Sequence, residues 1–182
     1  MLPLGHSSAG FLISQLKKPK PNLKEIIFLI ISANIFDLDL LFLYLFQRPL
    51  FIHHRLPTHT PVFGLVYLLI FFIIFRKKFS KNIFKLSALA MLSHLILDNI
   101  SYSIYPSIVH HPIAWGYPFF DPGNTINNNL INLSSQNYKT EISTVTDYYF
   151  TKTPIVLYTE IILFFLSLYI AYKNYSKRTK NV

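Results

Sequence analysis

The sequence predicts an all-α, polytopic membrane helical bundle, on three observations. Hydrophobic residues make up 52% of the 182 positions and charged residues 14%, with 17 phenylalanines, 12 tyrosines and 5 glycines. Soluble domains carry about 25% charged residues. Apolar residues gather in four runs long enough to cross or nearly cross a bilayer, and lysines and arginines cluster at the ends of those runs. The length suits one domain and not two sizeable cores. The absence of cysteine excludes disulfides and thiolate metal sites. The first residues, MLPLGHSSAGFLISQLKK, have no basic stretch ahead of their apolar part, so no cleaved signal peptide is expected.

In chain order, residues 2–16 form a weaker apolar stretch, expected to insert as a short or re-entrant helix. The four runs cover roughly 25–46, 60–75, 83–105 and 154–172; the second is short and the third is diluted by polar residues. This gives about four transmembrane helices plus the short N-terminal one. Residues 106–153 are rich in Asn, Thr, Ser, Gly and Pro and read as a polar outer loop. No internal repeat occurs.

Basic residues set the expected orientation. The 17–24 link holds Lys17, Lys18, Lys20 and Lys24, and the 76–85 link Arg76, Lys77, Lys78, Lys81 and Lys85. The tail holds Lys173, Lys177, Arg178 and Lys180. Arg48 and Arg55 fall in the 47–58 link, and Lys139 and Lys152 in the 106–153 loop. Thirteen of the 17 basic residues therefore share one side, which places those three segments and the C-terminus in the cytoplasm. A net charge of +9 divided among short segments in this way does not describe a nucleic-acid surface.

With that orientation His6, His53, His54, His59, His110 and His111 lie at or beyond the outer surface, and His94 lies within a helix. At about 1.5 Å per residue, Asp37 and Asp39 stand about 18 and 21 Å above the cytoplasmic end of their helix. By the same count His94 and Asp98 stand about 16 and 22 Å up theirs. A lone carboxylate at such depth costs at least about 2.5–3.5 kcal/mol, a cost that a bound cation removes. His94 and Asp98 are four apart and project from one helical face, fit either for an ion or for a His–Asp pair satisfied within the bundle. Imidazole and carboxylate without thiolate suit zinc, manganese or iron. Asp37 and Asp39, about 200° apart on an ideal helix, cannot both face one site. Either the helix unwinds there, or one carboxylate is a ligand and the other orients a histidine. HHRLPTHT, residues 53–60, adds three imidazoles and a guanidinium, or is an interfacial loop with Thr58 or Thr60 as a helix cap. Trp115, Tyr117 and Phe119 read as an interfacial belt.

Taken together, GHSSAGF, FDLDLL, HRLPTHT, LSHLILDNIS and WGYPF over about residues 5–120 resemble the YdjM-like family of inner-membrane, metal-dependent hydrolases. These segments stand for that family's L-P-D-x-D, H-R-x-x-T-H-S and S-H-x-x-x-D elements and a closing Trp-Pro element. Phe36 replaces the usual proline and Thr60 the usual serine. The order of His and Asp also looks like that of the all-helical zinc-dependent phospholipase C and nuclease superfamily. The resemblance implies His6, Asp37, His59, His94 and Asp98 as metal ligands, with Asp39 and His54 close by. It divides the single domain 1–182 into a metal-site core at 5–120, an outer polar loop at 121–153, and an anchoring helix with a basic tail at 154–182.

The expected function is hydrolysis of a phosphoester at the outer face, on a lipid or lipid-linked phosphate, with one or more zinc-like ions activating water. Asp39 or Asp98 would take the proton, and His54 and Arg55 would neutralise phosphoryl oxygens. Membrane lipids are the expected partners. Two alternatives use the same residues: a cation or proton transporter, and a non-catalytic membrane scaffold with a structural metal. Acidic residues are scarce in the cytoplasmic half, Glu25 and Glu160 excepted, and that disfavours a transport path.

Overall fold

The computed structural model describes residues 3–46, 56–104, 113, 115–116, 119 and 154–179. Every regular element among them is helical. Helix α1 spans Pro3–Ser14, α2 Leu23–Ala33, α3 Leu38–Leu45, α4 Pro61–Phe75, α5 Lys81–Ile104 and α6 Pro154–Thr179, with 3-10 turns at Ile35–Asp37 and Pro57–His59. Helices α5 and α6 are long and apolar enough to cross a membrane, and α2 with α3 make a third span if the bent pair counts as one. Helix α4 has 15 residues, about 22 Å of rise against a hydrocarbon core of about 30 Å. The expected four crossings thus become two full-length helices, one bent pair and one short apolar helix. The expected outer loop, 121–153, lies outside the described residues.

The 25–46 run is not one helix. It bends by 59° between α2 and the segment Ile35–Leu43. Asn34 stops α2: its Nδ2 donates to Ile30 O at 2.8 Å and to Ser7 Oγ of α1 at 3.1 Å. An amide that captures its own backbone in this way competes with the helical ladder. The chain then tightens into the 3-10 turn and leaves in a new direction as α3. At its other end α2 starts in a capping box, with Asn22 Oδ1 accepting from Glu25 N and Glu25 Oε2 accepting from Asn22 N, both at 3.0 Å. Lys17 Nζ donates to both Glu25 oxygens at 2.6 and 2.7 Å, tying the 17–24 link to the helix.

Helix α5 is the central post. It packs against α1, α2 and α4, while α1 also packs against α2 and α6. Phe28 and Leu29 of α2 meet Ile83 and Phe84 of α5, with Phe71, Phe75 and Phe79 around them. Nearer the far end, Ile35 and Phe36 pack on Met91 and Leu95. Leu65, Leu69, Ile73 and Ile74 of α4, like Ile162, Phe165 and Tyr169 of α6, stay outside, each at least 59% exposed. An apolar exterior of this extent is the surface a bilayer solvates. Lys20 Nζ donates to Asn174 Oδ1 of α6 at 2.8 Å, and the Phe79 ring lies 4.7 Å from that of Phe28 in the middle of α2. The basic 17–24 link, the α4–α5 turn and the end of α6 therefore share one end of the bundle.

Gly10 lets α1 close on α2. A Cβ there would lie 2.8 Å from Ala33 Cβ, 2.9 Å from Leu29 O and 3.0 Å from Ile30 Cα. Backbone cannot step aside cheaply, so Gly10→Ala is expected to destabilise the bundle by about 1–3 kcal/mol. Gly64→Ala faces only the tip of the Phe36 ring at 3.0 Å and should be the milder change. Thermal unfolding in detergent checks the ranking; an unchanged midpoint for Gly10→Ala contradicts the close-contact account.

Candidate metal centre

Five elements deliver donors to one buried point. His6 comes from α1, Asp37 from the turn after α2, Asp39 from the first turn of α3, His59 from the turn before α4, and His94 with Asp98 from α5. His59 and His94 are fully buried, and His6, Asp98 and Asp39 are 1%, 2% and 4% exposed. The Asp37 side chain, 11% exposed, faces the more open side. Each position has a local cause. His94 and Asp98 share a face of α5 through their i, i+4 spacing. The break at Asn34 turns Asp37 inward while α3 carries Asp39 off in its new direction. Pro57 and Pro61 bracket the His59 turn, and Thr60 caps α4 by accepting from Phe63 N at 3.5 Å.

Proton positions on the imidazoles follow from their partners. His94 Nδ1 lies 2.7 Å from Ala33 O. A carbonyl oxygen only accepts, so Nδ1 carries the proton and Nε2 of the neutral ring is a lone pair. His59 Nδ1 donates to Asp39 Oδ2 at 3.1 Å, which in the neutral ring leaves Nε2 as a lone pair as well. Thr58 Oγ1 donates to the same Asp39 oxygen at 3.0 Å and holds it in place.

Those two lone pairs confront each other. His59 Nε2 and His94 Nε2 are 3.0 Å apart, and Asp98 Oδ2 lies 3.2 and 3.1 Å from them respectively. Three acceptors at such distances repel unless a positive charge lies between them, either a proton or a cation. Ligands about 2.0–2.1 Å from a tetrahedral zinc-like ion stand about 3.3 Å from one another, close to the spacing here. His6 Nε2 is 3.2 Å from Asp98 Oδ1, yet among the described residues neither His6 nitrogen has a hydrogen-bond partner. Its ring stacks on His94 at 3.7 Å between centroids and 22° between planes. Asp37 Oδ1 is 3.7 Å from His94 Nε2, and among the described residues Asp37 Oδ2 and Asp39 Oδ1 are buried without a hydrogen bond.

Two sets of three donors emerge, His6–His94–Asp98 and Asp37–His59–His94, each with ligand atoms within 4.8 Å of one another. Both use His94, whose single free nitrogen serves one ion. The donor chemistry, burial and spacing fit one divalent cation held by His6, Asp37, His59, His94 and Asp98. Asp39 sits behind His59 and fixes its ring, so the conflict in FDLD is met by a helix break and by division of labour together. His54 and Arg55 lie outside the described residues, as do His53, His110, His111, Asp121 and Tyr117. Trp115 and Phe119 are 43% and 92% exposed. Sequence reasoning missed the Ala33 carbonyl and assigned Thr58 only a capping role. A serine or threonine next to a ligand histidine was the available signal for Thr58; nothing marked Ala33.

Elemental analysis of purified protein loaded with zinc should give one ion per chain, with His94→Ala and Asp98→Ala reduced to background. Asp39→Asn should keep the site but weaken it about 10–100-fold. Chelation should lower the thermal midpoint of the wild type, because the cation binds the folded state. Full zinc occupancy in Asp98→Ala contradicts the assigned centre.

Comparison with curated proteins and with solved structures gives no match. The family model described as YdjM inner membrane protein matches residues 1–179, which extends the likeness beyond the five motifs through α6. A family of inner-membrane proteins accords with the apolar exterior and the spanning helices, and the match covers nearly the whole chain. The chain therefore belongs to the YdjM inner membrane protein family.

Proposed function

We propose that the protein is a membrane-bound, metal-dependent hydrolase of phosphoesters, with one zinc-like ion at the buried centre. The observation that carries this reading is the convergence of His59 Nε2, His94 Nε2 and Asp98 Oδ2 at 3.0–3.2 Å. Bound there, the ion supplies Lewis acidity to a phosphoryl oxygen and makes a water molecule a stronger acid. Asp39 Oδ1, buried without a hydrogen bond among the described residues, is the base that takes the water proton as the water oxygen forms its bond to phosphorus. The ester oxygen leaves with the P–O bond electrons and takes up a proton to become an alcohol. Asp37, on the more exposed side, marks the face by which substrate enters. His54 and Arg55 immediately precede Leu56 at the start of the His59 turn, and their assigned work is to neutralise the remaining phosphoryl oxygens.

The basic end of the bundle supports a cytoplasmic assignment for the 17–24 link, the α4–α5 turn and the C-terminus. The metal centre lies toward the opposite end, so substrate is met at the outer face. A chain without native cysteine allows a direct test of sidedness. Lys77→Cys should react with an impermeant maleimide only in broken cells, and Ser135→Cys should react in intact ones. The reverse pattern overturns the outer-face assignment.

Turnover is tested with zinc-loaded protein in detergent, using a long-chain phosphatidic acid and p-nitrophenyl phosphate. Phosphate release should stop with chelator, return with zinc and vanish in Asp98→Ala. Asp39→Asn, assayed at saturating zinc, should lose about 10²–10⁴-fold in kcat. Stoichiometric zinc with no turnover of either ester would make the ion structural and end the hydrolase reading.

A further inference from the structure

A groove of about 200 Å³ runs between α4 and α5. Its lining is apolar throughout, with Phe36, Gly64, Leu65, Leu68, Met91 and Leu92 at its centre. Leu65 and Leu92 form the lip and are 67% and 43% exposed, so the groove opens sideways where a bilayer would lie. Gly64 creates the depth, since a Cβ there would come within 3.0 Å of the Phe36 ring. Phe36 forms the inner wall and is fully buried. It also meets two of the candidate metal-centre histidines, with ring centroids 5.2 Å from His94 and 5.6 Å from His59. One aromatic ring therefore separates an open apolar groove from the donor cluster.

We infer that this groove holds the acyl chain of a phospholipid whose phosphoester lies at the metal centre. The inference rests on the phosphoester reading above and names the substrate class for it. The volume is below the roughly 300–1,000 Å³ of a site that encloses a whole small molecule, and suits one stretch of hydrocarbon. Among the described residues no polar side chain lines the groove, which disfavours a headgroup there. A headgroup would sit on the other side of Phe36, among His6, Asp37, His59 and Asp98. Any lipid reaches the groove laterally from the bilayer, without leaving hydrocarbon.

The test uses phosphatidic acid with a diazirine near the end of one acyl chain, mixed into phosphatidylcholine vesicles that hold the zinc-loaded protein. Illumination followed by peptide mapping should place the label on Leu68, Met91 and their groove neighbours, well above the level on the outward residues of α6. Filling the lip with Leu92→Trp should lower that labelling about tenfold, the equivalent of about two methylene transfers. Gly64→Leu should do the same from the floor. Because Gly64→Leu strains Phe36, its zinc content must match the wild type for the result to count, and Leu92→Trp stands as the independent variant. In both variants the rate on long-chain phosphatidic acid should fall relative to that on p-nitrophenyl phosphate. Label spread evenly over lipid-facing residues, or unaltered in both variants, overturns the proposal. Cross-links between two copies through α4 overturn it in favour of a dimer contact. Label confined to the groove with no ester ever cleaved sustains the acyl-chain slot and defeats only the hydrolase reading.

Discussion

Two imidazole nitrogens and a carboxylate oxygen converge on the same small volume, and the rest of the molecule is arranged to keep them there. Left without a positive charge between them, His59 Nε2, His94 Nε2 and Asp98 Oδ2 would push apart. Their rings are held from behind by Asp39 and by the Ala33 carbonyl, so relaxation by rotation would break a buried hydrogen bond on each side. Tension between repulsion in front and restraint behind is what a preorganised cation site needs. It also explains why polar side chains so deeply placed are tolerated in an apolar bundle.

The scaffold meets that need through two backbone features. The amide of Asn34 ends α2 and turns the chain, which frees Asp37 to face His94 while Asp39 reaches His59. The missing side chain of Gly10 brings α1 close enough to α2 that His6, one turn earlier, lies over His94. Below this level, phenylalanines from α2, α4 and α5 fill the bundle, and a buried Ser32–Ser87 hydrogen bond at 2.8 Å ties α2 to α5. Rigid packing below and polar convergence above divide the structure into a footing and a site.

Much of this was legible in the residues. Apolar runs and the placement of Lys and Arg pointed to helices with one basic end, and the rise along each run put Asp37, His94 and Asp98 at matching depths. Those three groups do meet. A break at FDLD was one of two readings its aspartates left open, but its position at Asn34 was not legible, because asparagine alone does not break a helix. It does so here through a hydrogen bond to Ser7, 27 residues away, and local pattern carries no trace of such a partner. The shortness of α4 and the count of spans were ambiguous for a related reason: apolar composition states what a segment can face, not where its hydrogen-bonded turns stop. The Ala33 carbonyl escaped notice because every residue has one. Only the approach of α5 to the end of α2 gives that particular oxygen a role.

Helix α1, at 12 residues and about 18 Å, is shorter than the slab of hydrocarbon it lies beside. Hydrophobic matching, which sets the depth and tilt of a full-length helix, therefore has little hold on it. Its position is inherited from Gly10 against α2 and from the stack of His6 on His94. Because α1 packs against α2, α5 and α6, its imidazole takes its depth from protein neighbours. The placement of the donor cluster is thus set by contacts between helices and not by the thickness of the lipid beside α1.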